Sequence, residues 1–230
     1  LLDPSCGDGR FLAYHCPSTG IELDPGNAAS ARINAVGSLI HSADFFKWAS
    51  VTSARFDAAV GNPPFIRYQN FSGETRQLAL DLTRRLGVHL NGLASSWAAF
   101  LVVAASLLKP GGRMAFVVPA EIGHAPYAIP VVRFLSSHFE RVRVVAIREK
   151  LFPELSEAAW LLFADGYGGS SDHIELCWID RFAAFRWTDF PAKKVLVSSW
   201  QEAGCRLRKF LLSEIALSTY QSIASRAGVI

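Results

Sequence analysis

Four consecutive residues, Asn62-Pro63-Pro64-Phe65, have the types and the order needed to hold a flat ring that bears an amino group. They follow Arg55-Phe56-Asp57-Ala58-Ala59-Val60, an apolar run that reads as a buried parallel strand. Two prolines in a row fix the backbone and remove its donors, so the turn at the strand's end is stiff. Stiffness keeps the Asn62 side chain and the carbonyl of Pro63 aimed one way, both as acceptors. Phe65 adds a flat apolar face beside them. Together they form a socket for a planar group carrying an NH2. The plain alternative is a turn that happens to be rich in proline.

Three carboxylates upstream sit where strands should end. Leu1-Leu2 reads as the end of a buried strand running into Asp3-Pro4-Ser5-Cys6-Gly7-Asp8-Gly9-Arg10-Phe11, with a helix expected over about 11–15. Glycines in such a turn let a ligand approach the backbone, as in the nucleotide cradles of doubly wound sheets. Leu12 stands where a third glycine would complete the dinucleotide fingerprint, which argues against a dinucleotide. Gly20-Ile21-Glu22-Leu23-Asp24-Pro25 reads as a second strand ending in an acid, at a distance that suits a carboxylate gripping ribose hydroxyls. A third strand over about 38–41 leads to Asp44-Phe45-Phe46, an acid and aromatics able to meet an adenine amine and cover its ring. For each acid alone the alternative is a helix cap. Three such strand ends in series, followed by the proline turn on a fourth, argue against coincidence.

Bringing four strand ends to one edge takes a parallel sheet with helices between its strands. The chain supplies a helix from Pro25 onward, another carrying Phe100 and leading to Leu107-Leu108-Lys109-Pro110-Gly111-Gly112-Arg113, and a strand over 114–119. A helix over 129–138 and strands over 142–147, 158–164 and 174–179 follow. With 230 residues, half of them hydrophobic, the chain is long enough for one large α/β domain, with or without the start of a second. A net charge of +3 tolerates a polyanionic partner without demanding one. The four cysteines, Cys6, Cys16, Cys177 and Cys205, show no C-x-x-C spacing, so neither a zinc site nor a disulfide framework is indicated. His89 and His124 match no nucleophile or metal pattern. The apolar stretch 93–108 is too short for a bilayer and no signal peptide opens the chain, so no membrane is expected and the cytoplasm is. The first residue is not Met, and the sequence reads as a piece of a longer protein.

The series DPSCGDGRF, GIELDP, ADFF and GNPPF resembles motifs I to IV of the γ-class S-adenosylmethionine-dependent N6-adenine DNA methyltransferases, the restriction-modification type methylases. The resemblance continues through the L-x-P-G-G turn to a motif VIII loop at Leu151-Phe152-Pro153, and it covers roughly 1–165. It implies a Rossmann-like class I methyltransferase fold, a mostly parallel doubly wound sheet with an antiparallel seventh strand. It implies residues 1–180 as the catalytic domain, lacking its N-terminal part. Residues 181–230, irregular but for a helix around 205–213, would be a linker towards an absent target recognition domain.

By the same resemblance, Asp3, Pro4, Ser5, Cys6 and Gly7 would line the methionine end of S-adenosylmethionine. Glu22 would hold its ribose with Leu23 against the adenine, while Asp44, Phe45, Pro64 and Phe100 would surround that base. Asn62 and the Pro63 carbonyl would accept the N6 protons of the target adenine, with Pro64 in the same catalytic motif. Phe65 and Phe152 would hold the target ring. The family often has Tyr where Phe65 stands, and stacking needs only the ring face. No metal is required. The partners implied are double-stranded DNA and a restriction endonuclease, fused or separate. Arg67 reads either as a contact to the DNA backbone or as part of a solvated loop. Arg141, Arg143 and Arg148 read as the wet side of a strand. Competing readings are a protein-glutamine N5-methyltransferase, an rRNA adenine-N6-methyltransferase and a catalytically silent specificity subunit.

Overall fold

Among the described residues, nine strands assemble into one sheet: β1 (Leu2–Asp3), β2 (Thr19–Glu22), β3 (Leu39–Ser42), β4 (Phe56–Gly61), β5 (Leu108–Pro119), β6 (Phe139–Ile147), β7 (Ala159–Tyr167), β8 (His173–Ile179) and β9 (Lys193–Leu196). Their order is β3-β2-β1-β4-β5-β7-β6-β8-β9. The computed structural model describes residues 1–67, 69–151, 158–184 and 192–212, together with 216, 219 and 222. Strands β3, β2, β1, β4 and β5 run parallel, so their carboxyl ends share one edge. Strand β7, seventh in sequence, lies between β5 and β6 and runs antiparallel to both, as expected. Strand β8 returns parallel to β6, and β9 closes the edge antiparallel to β8.

The helices form where local chemistry starts them. Helix α1 (Pro25–Asn34) has Asp24 as its cap, accepting from the Asn27 N–H, and Pro25 in the first turn. Helix α2 (Phe45–Val51) has Asp44 as its cap. Helix α3 (Gly73–Arg85) has Glu74 in its first turn and Arg84 and Arg85 in its last, complementing the helix dipole. Helix α4 (Ser96–Ser106) is buried from Ser96 to Ala105, and so apolar on every side. It forms the centre of a core that also takes Phe46, Met114, Phe116 and Leu162. Helix α5 (Ile129–His138) falls on the residues that the sequence pattern assigns to it.

Three expectations need revision. The helix expected over 11–15 is a single 3-10 turn, Leu12–Tyr14, because few residues separate the glycine turn from Pro17 and a residue before proline avoids the helical region. Arg143 is not on a wet face. It lies opposite Glu175 on β8, which is 7% exposed, and donates to it through Nε at 2.9 Å and a terminal nitrogen at 2.6 Å. The sheet and core also continue past residue 180, into the stretch read as a linker. Strand β9 pairs with β8, the short helix α6 (Val197–Glu202) buries Trp200, and Leu207 is fully buried. The signal of β9 is masked by Lys193 and Lys194, charges of the kind that protect an edge strand from further pairing.

Candidate active site

The glycine turn after β1 is held from across the edge. Gly7 adopts φ 53° and donates its N–H to Glu22 Oε2 at 2.9 Å. Gly9, at φ 86°, passes so close to α1 that a Cβ would meet Ala31 at 3.1–3.3 Å. Asp3 is fully buried. Its Oδ1 accepts from the Ser5 N–H at 3.1 Å, while Oδ2 is buried without a partner, as is the Ser5 hydroxyl. Burial, and next the charge of Glu22, raise the Asp3 carboxyl to about 7 against the single Ser5 N–H bond that lowers it. Burial pushes the Cys6 thiol up to about 12, which leaves it a packing residue in a small cluster with Leu12 and Ile40.

At the end of β2, Glu22 also accepts from the Asp24 N–H through Oε1 at 2.8 Å, so one carboxylate organises two loops. Each oxygen keeps a lone pair for a further donor. Asp44 is a helix cap, accepting from Lys47 N–H at 3.0 Å, and its Oδ2 accepts from the Thr75 hydroxyl at 2.8 Å. The capping alternative holds for this acid, yet the acid also faces a cavity of about 620 Å³. Pro4, Ser5, Glu22, Leu23, Asp44, Phe45, Pro64 and Phe100 all line it, eight of the expected cofactor residues. The Phe45 and Phe100 rings stack on each other at 5.1 Å and are buried to 4% and 8% exposure, so each has one face covered by the other.

At the end of β4 the proline turn is clamped by α4. The Ser96 hydroxyl donates to the Pro64 carbonyl and accepts from the Ile66 N–H at 3.0 Å. Gly61 lies against Asp3 and Pro4: a Cβ there would come within 3.1 Å of Asp3 Oδ1. Pro63 is buried, Pro64 and Asn62 are exposed, and Phe65 is half-buried against the main core. Among the described residues, neither the Asn62 side chain nor the Pro63 carbonyl has a hydrogen-bond partner. Pro64 lines the cavity, and Asn62 does not.

The profile of the Eco57I restriction-modification methylases matches residues 22–152. The chain belongs to the Eco57I restriction-modification methylase family. The matched stretch includes the end of β2, the proline turn and the whole of β5. The type II methyltransferase M.HincII of Haemophilus influenzae is 26% identical over 184 residues, covering 78% of this chain and 35% of that protein. The chain thus spans about a third of the length of that relative. A tRNA1(Val) (adenine(37)-N6)-methyltransferase of H. influenzae is 30% identical over 138 residues, 54% of each chain. The methyltransferase subunit of a type I restriction-modification system from Streptococcus thermophilus superposes with a TM-score of 0.71 at 17% identity, over 90% of this chain and 52% of that one. The fold is that of the class I S-adenosylmethionine-dependent methyltransferases, and S-adenosylmethionine is the cofactor of the Eco57I family.

The residues present fit that group. On the cavity wall the buried Ser5 hydroxyl lacks a partner that a carboxylate would supply. Glu22 has spare acceptor capacity at the cavity wall, where Phe45, Phe100 and Pro64 add apolar surface. Asp3, Cys6 and Gly7 are not on that wall; they shape the loop behind it. Phe152 lies outside the described residues. Sequence reasoning missed Ser96, Thr75, Asn70 and Phe71, which line the same cavity. Ser95-Ser96 at the start of an otherwise apolar helix is the one signal that marks Ser96. No helix among the described residues is long and apolar enough to cross a membrane, and no cluster of His, Cys, Asp and Glu there has metal-binding geometry.

Proposed function

We propose that this chain transfers a methyl group from S-adenosylmethionine to N6 of an adenine flipped out of double-stranded DNA, within a restriction-modification system that pairs it with a restriction endonuclease. The observation that carries this is the pair of partnerless acceptors at the end of β4, Asn62 and the Pro63 carbonyl, beside a cavity bounded by the same turn. An adenine amino nitrogen is a poor nucleophile, because its lone pair is delocalised into the ring. Two acceptors aimed at its protons favour pyramidalisation and place negative potential where positive charge develops. When bound, S-adenosylmethionine supplies a methyl group on a sulfonium, already a good leaving group. The remaining task of the chain is alignment, worth about 7–11 kcal/mol for well-oriented groups. Ser96 serves it by pinning the turn through the Pro64 carbonyl, which leaves the Pro63 carbonyl for the substrate. Phe65 stacks on the extruded ring, an interaction worth about 1–3 kcal/mol per base.

The similarity to a tRNA adenine-N6-methyltransferase supports the same amino acceptor on a different polymer. The test offers the complete protein a mixture of unmethylated plasmid DNA, transfer RNA and soluble protein with labelled cofactor. Label recovered as N6-methyladenine from the DNA is the expected result. Label confined to RNA or protein would overturn the DNA reading.

A further inference from the structure

A cleft of about 300 Å³ opens beside the proline turn, lined by Arg67, Ala120, Glu121, His124, Ala158 and Arg208. Gly61, the last residue of β4, pairs with Phe116 on β5, and the cleft takes Arg67 from the stretch after β4 and Ala120 from the residue that follows β5.

Arg208 comes from the C-terminal stretch, and its position is built. Cys205 turns the chain with φ 59°, a left-handed conformation rare outside glycine, and Leu207 is fully buried. The Arg208 guanidinium then lies over the Trp160 ring, 5.6 Å from its centroid. Its stem passes Gly123 so closely that a Cβ there would sit 3.2 Å away. Arg84, Arg113, Arg141, Arg143 and Arg148 each pair with a carboxylate, whereas Arg208 has no ion pair among the described residues. Glu121, the acid in the cleft, is engaged by the Tyr127 hydroxyl. Burial, then the charge of Arg208, hold the His124 imidazole below its ordinary value against the pull of the Ala120 carbonyl and Glu121, so the positive charge of the cleft is that of its arginines. A second cleft shares Ala158 and Arg208 and adds Arg148 and the exposed Trp178, an apolar face further along the same track.

We propose that Arg67, His124 and Arg208 form a phosphate-binding cleft that seats the backbone of the nucleic-acid strand carrying the target base. This deepens the methyltransferase reading and rests on it. A cation on a phosphate acts without regard to sequence and leaves its mark on salt dependence.

The test measures binding of the complete protein to a labelled 30-base-pair duplex of random sequence, as DNA and as RNA, from 50 to 300 mM KCl. Arg208→Ala and, on a separate element, Arg67→Ala should each shrink the slope of log affinity against log salt by about 0.9. Arg208→Lys, which keeps the charge, should retain the slope. Calorimetric affinity for S-adenosylmethionine should stay within twofold throughout, which shows that the variants fold. Slopes unchanged in both alanine variants would overturn the cleft even if the wild type methylates DNA. Loss of slope on the RNA duplex, with methylation of RNA alone, would keep the cleft and overturn the DNA reading.

Discussion

The carboxyl edge of the sheet has two halves of different charge, and β4 divides them. On the β1–β3 side stand the acids Asp3, Glu22, Asp24 and Asp44; on the β5–β8 side charges of both signs mix, Arg148, Arg206 and Arg208 with Glu121, Glu149 and Asp180. The two halves are also built differently. Most bonds to the acids come from backbone N–H groups in loops and caps, joined by Gly7 reaching Glu22 across the edge and the Thr75 hydroxyl reaching Asp44. Arg208 is held by a ring, a glycine and buried neighbours from distant parts of the chain. A net charge of +3 conceals this split, because a sum says nothing of distribution. Acids on one side suit a cationic cofactor carrying hydroxyls, arginines on the other a polyanion, and Asn62 sits on the boundary.

Breaking the boundary itself should have the largest effect. Asn62→Ala should lower single-turnover methyl transfer by roughly 10²–10³-fold, the loss typical of one misplaced electrostatic partner. Affinities for cofactor and for duplex should change less than twofold. Near-normal transfer would remove Asn62 from the reaction.

Next in size is a pH effect on the acidic side. The Asp3 carboxyl is raised from 3.8 to about 7 by burial. Between those values the unfolded chain has lost the proton and the folded protein keeps it. The associated stability is therefore fully present below about pH 4 and is lost as pH rises towards about 7. Asp3→Asn should remove that slope and leave the variant more stable than wild type at pH 8, by on the order of a few kcal/mol, with the gap closing by pH 4. Denaturant unfolding across that range reads it out. Equal stability of the two proteins at pH 8 would count against a buried, proton-holding Asp3.

Glu22→Ala tests whether the halves act separately. It should weaken S-adenosylmethionine binding about ten- to hundredfold, the cost of donors left unpaired at about 1–3 kcal/mol. The salt slope for nucleic acid should not move. A cofactor affinity unchanged by calorimetry would reduce Glu22 to a brace for the glycine turn.

The smallest effect should come from Ser96→Ala, which frees the Pro64 carbonyl and the Ile66 N–H together. About 1 kcal/mol of stability should go, with a several-fold fall in turnover, since the turn and not its chemistry is loosened. A turnover that fell as far as in Asn62→Ala would instead give Ser96 a direct part in the reaction.

Sequence alone determined the elements whose causes lie within a few residues. Asp24 and Asp44 start α1 and α2 by capping them, the apolar run before Asn62 is β4, and α5 covers 129–138 as its pattern requires. The order of acids, glycines and prolines along the chain likewise determined which loops meet at one edge, once the strands are parallel. Only the tertiary structure decided which distant groups touch: the Ser96 clamp on the proline turn, the Arg143–Glu175 pair, the joining of β9 and Trp200 to the main core, and Arg208 on Trp160. The physical reason is range. Caps, turns and periodicity are set by neighbours in sequence, whereas these contacts join residues 32 or more positions apart, or lie in strands whose charged composition hides their pairing. Their energies depend on the packed whole, and no short window of residues contains it.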